Sequence, residues 1–193
     1  MKLDVLYIDT EFERTRTFYA KPALIQVFDG QSAYLLDPLK LTSLAPFATI
    51  WRSNVITKVL HAAAEDIEVL SRLVGTPPTA IFDTQIAAAM LGYGYSIGYA
   101  SLTKTMTGVI LPKHETRSNW LRRPLTQNQL KYAALDVAHL PAIYSKFSSK
   151  LTQTERHTWL HEECEKLAVK HGTEPHDFLN IYLKIGQAWR LNR

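Results

Sequence analysis

Two carboxylates stand two residues apart where a short apolar run near the start of the chain ends. Residues 5–8, VLYI, have the composition of a buried β-strand, and Asp9 and Glu11 follow them. Alternate side chains of an extended strand point to one face, so both carboxylates face the same way. Carboxylates about 5–7 Å apart on a buried face repel each other, and a divalent cation would turn that repulsion into attraction. A strand end with two solvated acids is the competing interpretation, because so short a motif also occurs by chance.

Two further acids lie in predicted helices. Asp66 falls in the first turns of a helix after the buried strand at residues 55–60, where open α/β sheets place their sites. Asp136 stands four residues after Tyr132 in a later helix, so both side chains project from one face. Each has a structural alternative: an acid near a helix start interacts favourably with the positive helix end, and a tyrosine hydroxyl can bond an aspartate one turn away.

The elements that must position these residues alternate between strands and helices. Strands are predicted at residues 5–8, 24–28, 32–36, 55–60 and 80–82, with a hairpin turn at residues 29–31. Helices are predicted at residues 41–51, 61–75, 84–91, 101–107, 126–147, 152–171 and 177–191. Asp83 is the expected N-cap of the third helix, and Thr126 opens the fifth with a capping box. This order predicts a mixed α/β sheet covered by helices.

Composition limits the class of protein. The 193 residues are 46% hydrophobic and 21% charged, as in one globular domain with or without a helical appendage. No segment has the length and apolarity of a membrane span, and Cys164 is the only cysteine, which favours a cytoplasmic setting. The net charge of +4 and the pI of about 9.1, in a chain whose proposed centre is acidic, suit a polyanionic partner.

The order of the carboxylate motifs is that of a known enzyme class. Together, the D-x-E at a strand end, Asp66 and the Y-x-x-x-D of the late helix are far more specific than any one of them. The chain resembles the DEDDy class of 3′→5′ exonucleases and, within it, the ribonuclease D family. The resemblance runs through IDTEFERTRTFY, LIQVFDG, LLDPL, KVLHAAAEDIEVL, FDTQIAAAM, RSNWLRRPL and KYAALDVAHL. It implies a ribonuclease H-like α/β fold, with a mixed five-stranded sheet flanked by helices and a helical C-terminal extension.

The same resemblance implies the chemistry. Asp9, Glu11, Asp66 and Asp136 would bind two divalent ions, Mg²⁺ or Mn²⁺, and Tyr132 would orient the attacking water. The expected reaction releases nucleoside 5′-monophosphates from RNA 3′ ends, in the maturation of tRNA or other structured RNA, by a monomer. A DNA exonuclease of the proofreading type and a non-catalytic RNA-binding module are the alternatives.

A basic stretch runs into the start of the late helix. Five cationic side chains flank Trp120 there: Lys113, Arg117, Arg122, Arg123 and Lys131. Cations that neutralise phosphates and an aromatic ring that stacks on a base are typical of single-strand binding. A solvated loop around a buried Trp120 is the alternative, and for Trp120 we favour it. The resemblance implies phosphate contacts for Arg117 and Arg123 and places His61 at the terminal nucleotide, where it could equally brace the helix start.

The resemblance also suggests a domain organisation. We expect an exonuclease domain at residues 1–150 and a helical extension at residues 151–193, the start of a linker toward the HRDC domains that this family usually carries. The family usually has a strand and a helix before the D-x-E strand, which here begins almost at Met1. It commonly has an aspartate before the loop tryptophan, where this chain has Asn119.

Overall fold

A mixed five-stranded sheet forms the centre of the molecule, as the sequence predicts. The structure is a computed structural model that describes residues 4–15, 17–112, 115 and 118–172. The strands are β1 (Val5–Glu13), β2 (Lys21–Phe28), β3 (Ala33–Leu36), β4 (Thr57–Leu60) and β5 (Ile81–Asp83), in the order β3-β2-β1-β4-β5. Strand β1 pairs antiparallel with β2 and parallel with β4, which pairs parallel with β5.

Seven helices are described around the sheet. They are α1 (Ala45–Trp51), α2 (Ala64–Val74), α3 (Thr84–Met90), α4 (Tyr99–Thr107), α5 (Gln127–Ala138), α6 (Leu140–Gln153) and α7 (His157–Gly172). The expected N-cap at Asp83 and the capping box at Thr126 are both confirmed. The helix expected at residues 177–191 lies outside the described residues.

The single helix predicted for residues 126–147 is wrong, because it divides at His139. This residue ends α5 and precedes α6, with φ −99° and ψ −9°. Pro141 stands in the first turn of α6, lacks the N–H that a continuous helix needs there, and would crowd the carbonyl four residues earlier.

Helix α5 covers the sheet face that carries the first two acids. Asp9 pairs with Gln26, and Glu11 pairs with Leu24, across the ladder between β1 and β2, so these side chains share one face. Ala133 of α5 packs with Leu24 in a small apolar cluster. The register shifts after Glu11, so a bulge marks the point where the proposed site ends.

Helix α2 covers the opposite face. Its buried residues Ile67 and Leu70 belong to the main core together with Leu6 and Ile8, which alternate with the acids along β1. The sheet therefore separates α2 from α5, and any site shared by both helices must lie at the end of the strands.

Helix α7 packs into the same main core. Leu160, Cys164 and Ala168 are buried in it, and the backbone N–H of Asp83 points to Cys164 Sγ at 3.4 Å. The expected division at residue 150 falls inside α6. The division into two units stays a prediction. Within the described residues, every helix is too short or too polar to cross a lipid bilayer.

Candidate active site

Three carboxylates meet at the end of β1. Asp9 and Glu11 come from β1, and Asp136 comes from α5, which lies across that face of the sheet. One ligand atom from each lies within 4.8 Å of the other two. The strand face that carries the D-x-E acids and the helix face that carries Asp136 point toward each other, which brings these three acids together.

Asp66 reaches the same region from the other side of the sheet. It is buried in the first turn of α2, where its carboxylate accepts a hydrogen bond from the Thr10 hydroxyl. Thr10 lies between the two acids of β1 and points to the opposite face. Asp66 therefore lies close enough for its charge to affect the pKa of Glu11, but it is not in the group of three.

A turn between β4 and α2 places Asp66. Ala62 adopts φ +55°, an uncommon conformation for a residue with a side chain, and the Asp83 carboxylate accepts bonds from the backbone N–H groups of Ala62 and Ala63 at 3.1 and 2.8 Å. The same carboxylate caps α3 through Gln85 and Ile86. One buried aspartate thus joins the starts of two helices.

Burial of four acids in one place raises their proton affinity. Burial, and next the charge of Asp136, raise the pKa of Asp9 well above its ordinary value. Burial raises the pKa of Glu11 to about 9, with added repulsion from Asp9, Asp136 and Asp66. Burial, followed by the charge of Asp9, also raises the pKa of Asp66. Binding of protons or of a cation near neutral pH therefore relieves the electrostatic repulsion among these acids.

Tyr132 bonds Asp136 within α5. Its hydrogen bond lowers the pKa of Asp136, whereas burial raises that pKa to about 7. The Tyr132 ring also packs against Trp120, with ring centroids 6.0 Å apart, and Trp120 is only 4% exposed. The interpretation of Trp120 as a buried residue is therefore confirmed. The tyrosine is held by the helix on one side and by the buried indole on the other.

A pocket opens beside these acids, and we call it the nucleotide pocket. Its volume is about 460 Å³, within the range of small-molecule sites. Lining residues include Asp9, Glu11, Asp136, Tyr132, His61 and Tyr99. Sequence reasoning missed Tyr99, which opens α4 after a glycine- and tyrosine-rich loop at residues 92–98 and donates to the carbonyl of Leu135 at 3.3 Å.

His61 lines this pocket and also braces a loop. Its Nε2 lies 3.0 Å from the carbonyl oxygen of Ile97, which can only accept, so Nε2 carries the proton. Its Nδ1 lies 2.9 Å from the Thr84 hydroxyl, at the start of α3. The two expected roles are compatible, because the ring nitrogens hold the loop while the ring itself lines the pocket. Burial lowers the pKa of His61.

Arg123 does not occupy the position that we expected for it. Its guanidinium forms a two-point ion pair with Asp37, at 2.7 and 2.8 Å, and donates to the carbonyls of Ala23 and Trp120. These contacts use the donors that a phosphate would need, so the prediction of a phosphate contact is corrected to a structural role. The pair also lowers the pKa of Asp37. Arg117 lies outside the described residues.

Asn119 and Gln26 are two further polar residues whose hydrogen-bonding surroundings the structure defines. Asn119 accepts bonds from the backbone N–H groups of Leu121 and Arg122 at 3.2 and 3.1 Å, so its amide oxygen supplies the turn acceptor of this loop. Gln26 is fully buried opposite Asp9, and both ends of its amide are without a hydrogen-bond partner in the described part of the chain. The sequence signal that marks Gln26 is a polar residue inside the apolar run of β2.

The family model for a 3′-5′ exonuclease matches residues 1–152. The chain belongs to the 3′-5′ exonuclease family. Ribonuclease D of Pseudomonas paraeruginosa is 44% identical over 186 residues, which are 96% of this chain and 49% of that protein. The resemblance to ribonuclease D is thus confirmed, and the chain spans about half the length of the curated relatives that it matches.

Comparison with solved structures supports the same family assignment. The crystal structure of Escherichia coli RNase D, an exoribonuclease involved in structured RNA processing, matches with a TM-score of 0.86 and 40% identity, over 90% of this chain and 46% of that chain. Brucella melitensis NrnC with bound Mg²⁺ matches with a TM-score of 0.81 and 21% identity, over 96% of this chain and 90% of that chain, a likeness of fold alone. The ribonuclease H-like fold class is confirmed.

Proposed function

We propose that this chain carries the catalytic domain of a metal-dependent 3′→5′ exoribonuclease, which releases nucleoside 5′-monophosphates from RNA 3′ ends. The observation that carries the proposal is the convergence of Asp9, Glu11 and Asp136 in the wall of the nucleotide pocket. Membership of the 3′-5′ exonuclease family supports it. The proposed setting is the maturation of tRNA or other structured RNA in the cytoplasm, by a monomer.

We propose Asp9, Glu11, Asp66 and Asp136 as the residues that hold two Mg²⁺ or Mn²⁺ ions. The donor set fits these ions, because carboxylate oxygens are hard ligands. A bound cation would also offset the repulsion among these partly buried negative charges. Two bound divalent ions would supply positive charge that activates a water and stabilises the leaving 3′-oxygen. Among proteins of this fold, NrnC binds Mg²⁺.

The surrounding side chains have positioning roles in this proposal. The Tyr132 hydroxyl, held at Asp136 in the pocket wall, would orient the attacking water without acting as a strong base. His61 and Tyr99 form one wall of the pocket, with ring centroids 5.6 Å apart, and would restrict the terminal nucleotide to one orientation.

The proposal is tested by digesting a 5′-labelled single-stranded RNA without metal, with Mg²⁺ and with Mn²⁺. We expect a ladder that shortens from the 3′ end only when metal is present. Asp9→Ala and Asp136→Asn should reduce cleavage to background while the circular dichroism spectrum is retained. Asp29→Asn is the matched control, because Asp29 is a turn residue that accepts bonds from Gln31 and Ser32. Near-normal rates in either site variant would overturn the two-metal assignment.

A DNA strand of the same sequence separates RNA from DNA specificity, because metal ions act on phosphates that both polymers share. A faster rate with RNA supports the proposal, and a faster rate with DNA supports a proofreading-type exonuclease. Tight RNA binding without turnover at saturating Mn²⁺ would identify a binding module instead.

A further inference from the structure

A second, smaller pocket adjoins the nucleotide pocket, and we call it the side pocket. It has a volume of about 210 Å³ and is lined by Pro112, Glu115, Asn128, Lys131 and Tyr132. Pro112 and Tyr132 also line the nucleotide pocket. Because the two pockets share these walls, a ligand that extends past Tyr132 can occupy both.

The side pocket offers a cation and an amide on one helix face. Lys131 and Asn128 are three positions apart in α5, so their side chains project in similar directions, and both residues are exposed. Within the part of the chain that the structure describes, neither side chain forms a hydrogen bond or an ion pair. An ammonium group and an amide N–H are both donors that suit a phosphate oxygen.

The nucleotide pocket has the opposite charge. Asp9, Glu11 and Asp136 line it, so a phosphate without a cation partner is repelled there. An RNA strand whose 3′-terminal nucleotide fills this pocket must leave it at the scissile phosphate and continue toward the 5′ end of the RNA. The side pocket has less than half the volume of the nucleotide pocket, which favours a phosphate group over another whole nucleotide.

We propose that the side pocket binds the phosphate on the 5′ side of the penultimate nucleotide, with Lys131 as its cation and Asn128 as a second donor. The inference rests on the proposed exonuclease function and adds a subsite to it. Glu115 lies in the same pocket and opposes the bound phosphate, so the contact is weak enough for the strand to move after each cleavage.

Two RNA dinucleotides of one sequence test this subsite, one with a 5′-phosphate and one with a 5′-hydroxyl. Both contain the scissile phosphate, and only the first contains the phosphate that Lys131 would bind. We expect a KM lower by about threefold to fivefold for the phosphorylated dinucleotide, as for an exposed ion pair. Lys131→Ala should remove this preference by raising the KM of the phosphorylated dinucleotide alone, with kcat unchanged for both.

Three variants serve as controls. Lys131→Arg should retain the preference, and Glu115→Gln should increase it because a repulsive charge is removed. Lys170→Ala removes the same charge from the exposed last turn of α7 and should change neither KM. A KM that rises equally for both dinucleotides in Lys131→Ala, or that changes for neither, overturns the subsite. Cleavage of neither dinucleotide by a protein that shortens the longer 5′-labelled RNA overturns the subsite alone, because the phosphorylated dinucleotide carries every contact that the subsite requires. A protein that shortens no RNA in Mn²⁺ overturns the exonuclease proposal.

Discussion

Tyr132, one helical turn before Asp136, opposes the effect of burial on the pKa of Asp136. Burial raises the pKa of this carboxyl to about 7, and the hydrogen bond from Tyr132 lowers it. A metal ligand must be ionised to bind its ion, so Tyr132 favours the charged form that a cation requires. In the proposed mechanism, Tyr132 would thus both position the attacking water and stabilise the ionised form of a metal ligand.

Tyr132→Phe should therefore lower kcat by about tenfold to a hundredfold, as the loss of a ligand's hydrogen-bond partner does, and less than Asp136→Asn. The acidic limb of the pH profile should move to higher pH, because Asp136 loses the bond that lowers its pKa. The measurement is the rate against pH at a fixed, subsaturating Mn²⁺ concentration, where protons compete with the ion for Asp136. Tyr95→Phe, at a tyrosine that is 93% exposed, is the control. An unchanged profile would contradict the role of this bond.

The acids also predict how metal-free stability depends on pH. Burial raises the pKa of Glu11 to about 9 and that of Asp136 to about 7, so the folded state binds more protons than the unfolded state between their ordinary values and these values. This stabilisation is complete below about pH 4 and is lost as the pH rises toward 9.

The melting temperature in EDTA should consequently fall from pH 5 to pH 9, and Mn²⁺ should restore it most at the alkaline end. Asp136→Asn should flatten the dependence, because one of the repelling charges is gone. Differential scanning fluorimetry at constant ionic strength measures this. A melting temperature in EDTA that rises over this range would exclude mutual repulsion among the site acids.

At the scale of elements, Arg123 connects three pieces of chain that are far apart in sequence. It joins the segment before α5 to β2 through the Ala23 carbonyl and to Asp37, which follows β3. The guanidinium and Asp37 side chains are 17% and 21% exposed, so water screens this pair only in part. The contact therefore ties the segment that precedes α5 to β2 and to the end of β3.

Arg123→Ala should lower the free energy of unfolding by about 1–3 kcal/mol, because bonds between charged partners are lost and Asp37 keeps its charge. Arg123→Lys should recover little, since an ammonium cannot make the two-point contact. Urea denaturation measures the change, and Arg122→Ala, at the exposed neighbour, is the control. A raised KM for RNA with unchanged stability would restore the phosphate contact that the sequence suggested.

At the scale of the whole molecule, α7 packs into the core of the exonuclease fold. Cys164 is 1% exposed, lies next to Asp83, and burial raises the pKa of its thiol to about 12. A buried thiol that is rarely ionised reacts only when the helix leaves the core.

Thiol labelling therefore reports whether α7 is integral to the fold. At pH 8, the folded protein should react with a disulfide reagent at least about a thousandfold more slowly than the urea-unfolded chain. Ser149→Cys, on exposed α6 surface in a Cys164→Ala background, is the matched control and should react rapidly. Rapid labelling of Cys164 in the folded protein would show that residues after 153 separate from the core.

Local sequence patterns were sufficient for much of the site. The shared face of Asp9 and Glu11 follows from the two-residue period of a strand, and the bond between Tyr132 and Asp136 follows from the helical period. The caps at Asp83 and Thr126 involve only neighbours in the chain, so they too were predictable. The division at His139 also had a local signal in Pro141.

The tertiary structure alone decided contacts between distant segments. Arg123 and Asp37 are 86 positions apart, and no spacing rule connects them. Asp66 approaches β1 from the opposite face of the sheet and bonds Thr10, which no single helix or strand pattern reveals. The nucleotide pocket exists because α5, the loop at Pro112 and the end of β1 meet in space, and the side pocket lies between that loop and α5. Periodicity describes the direction of a side chain within its own element, whereas the identity of the opposing element depends on how the whole core packs.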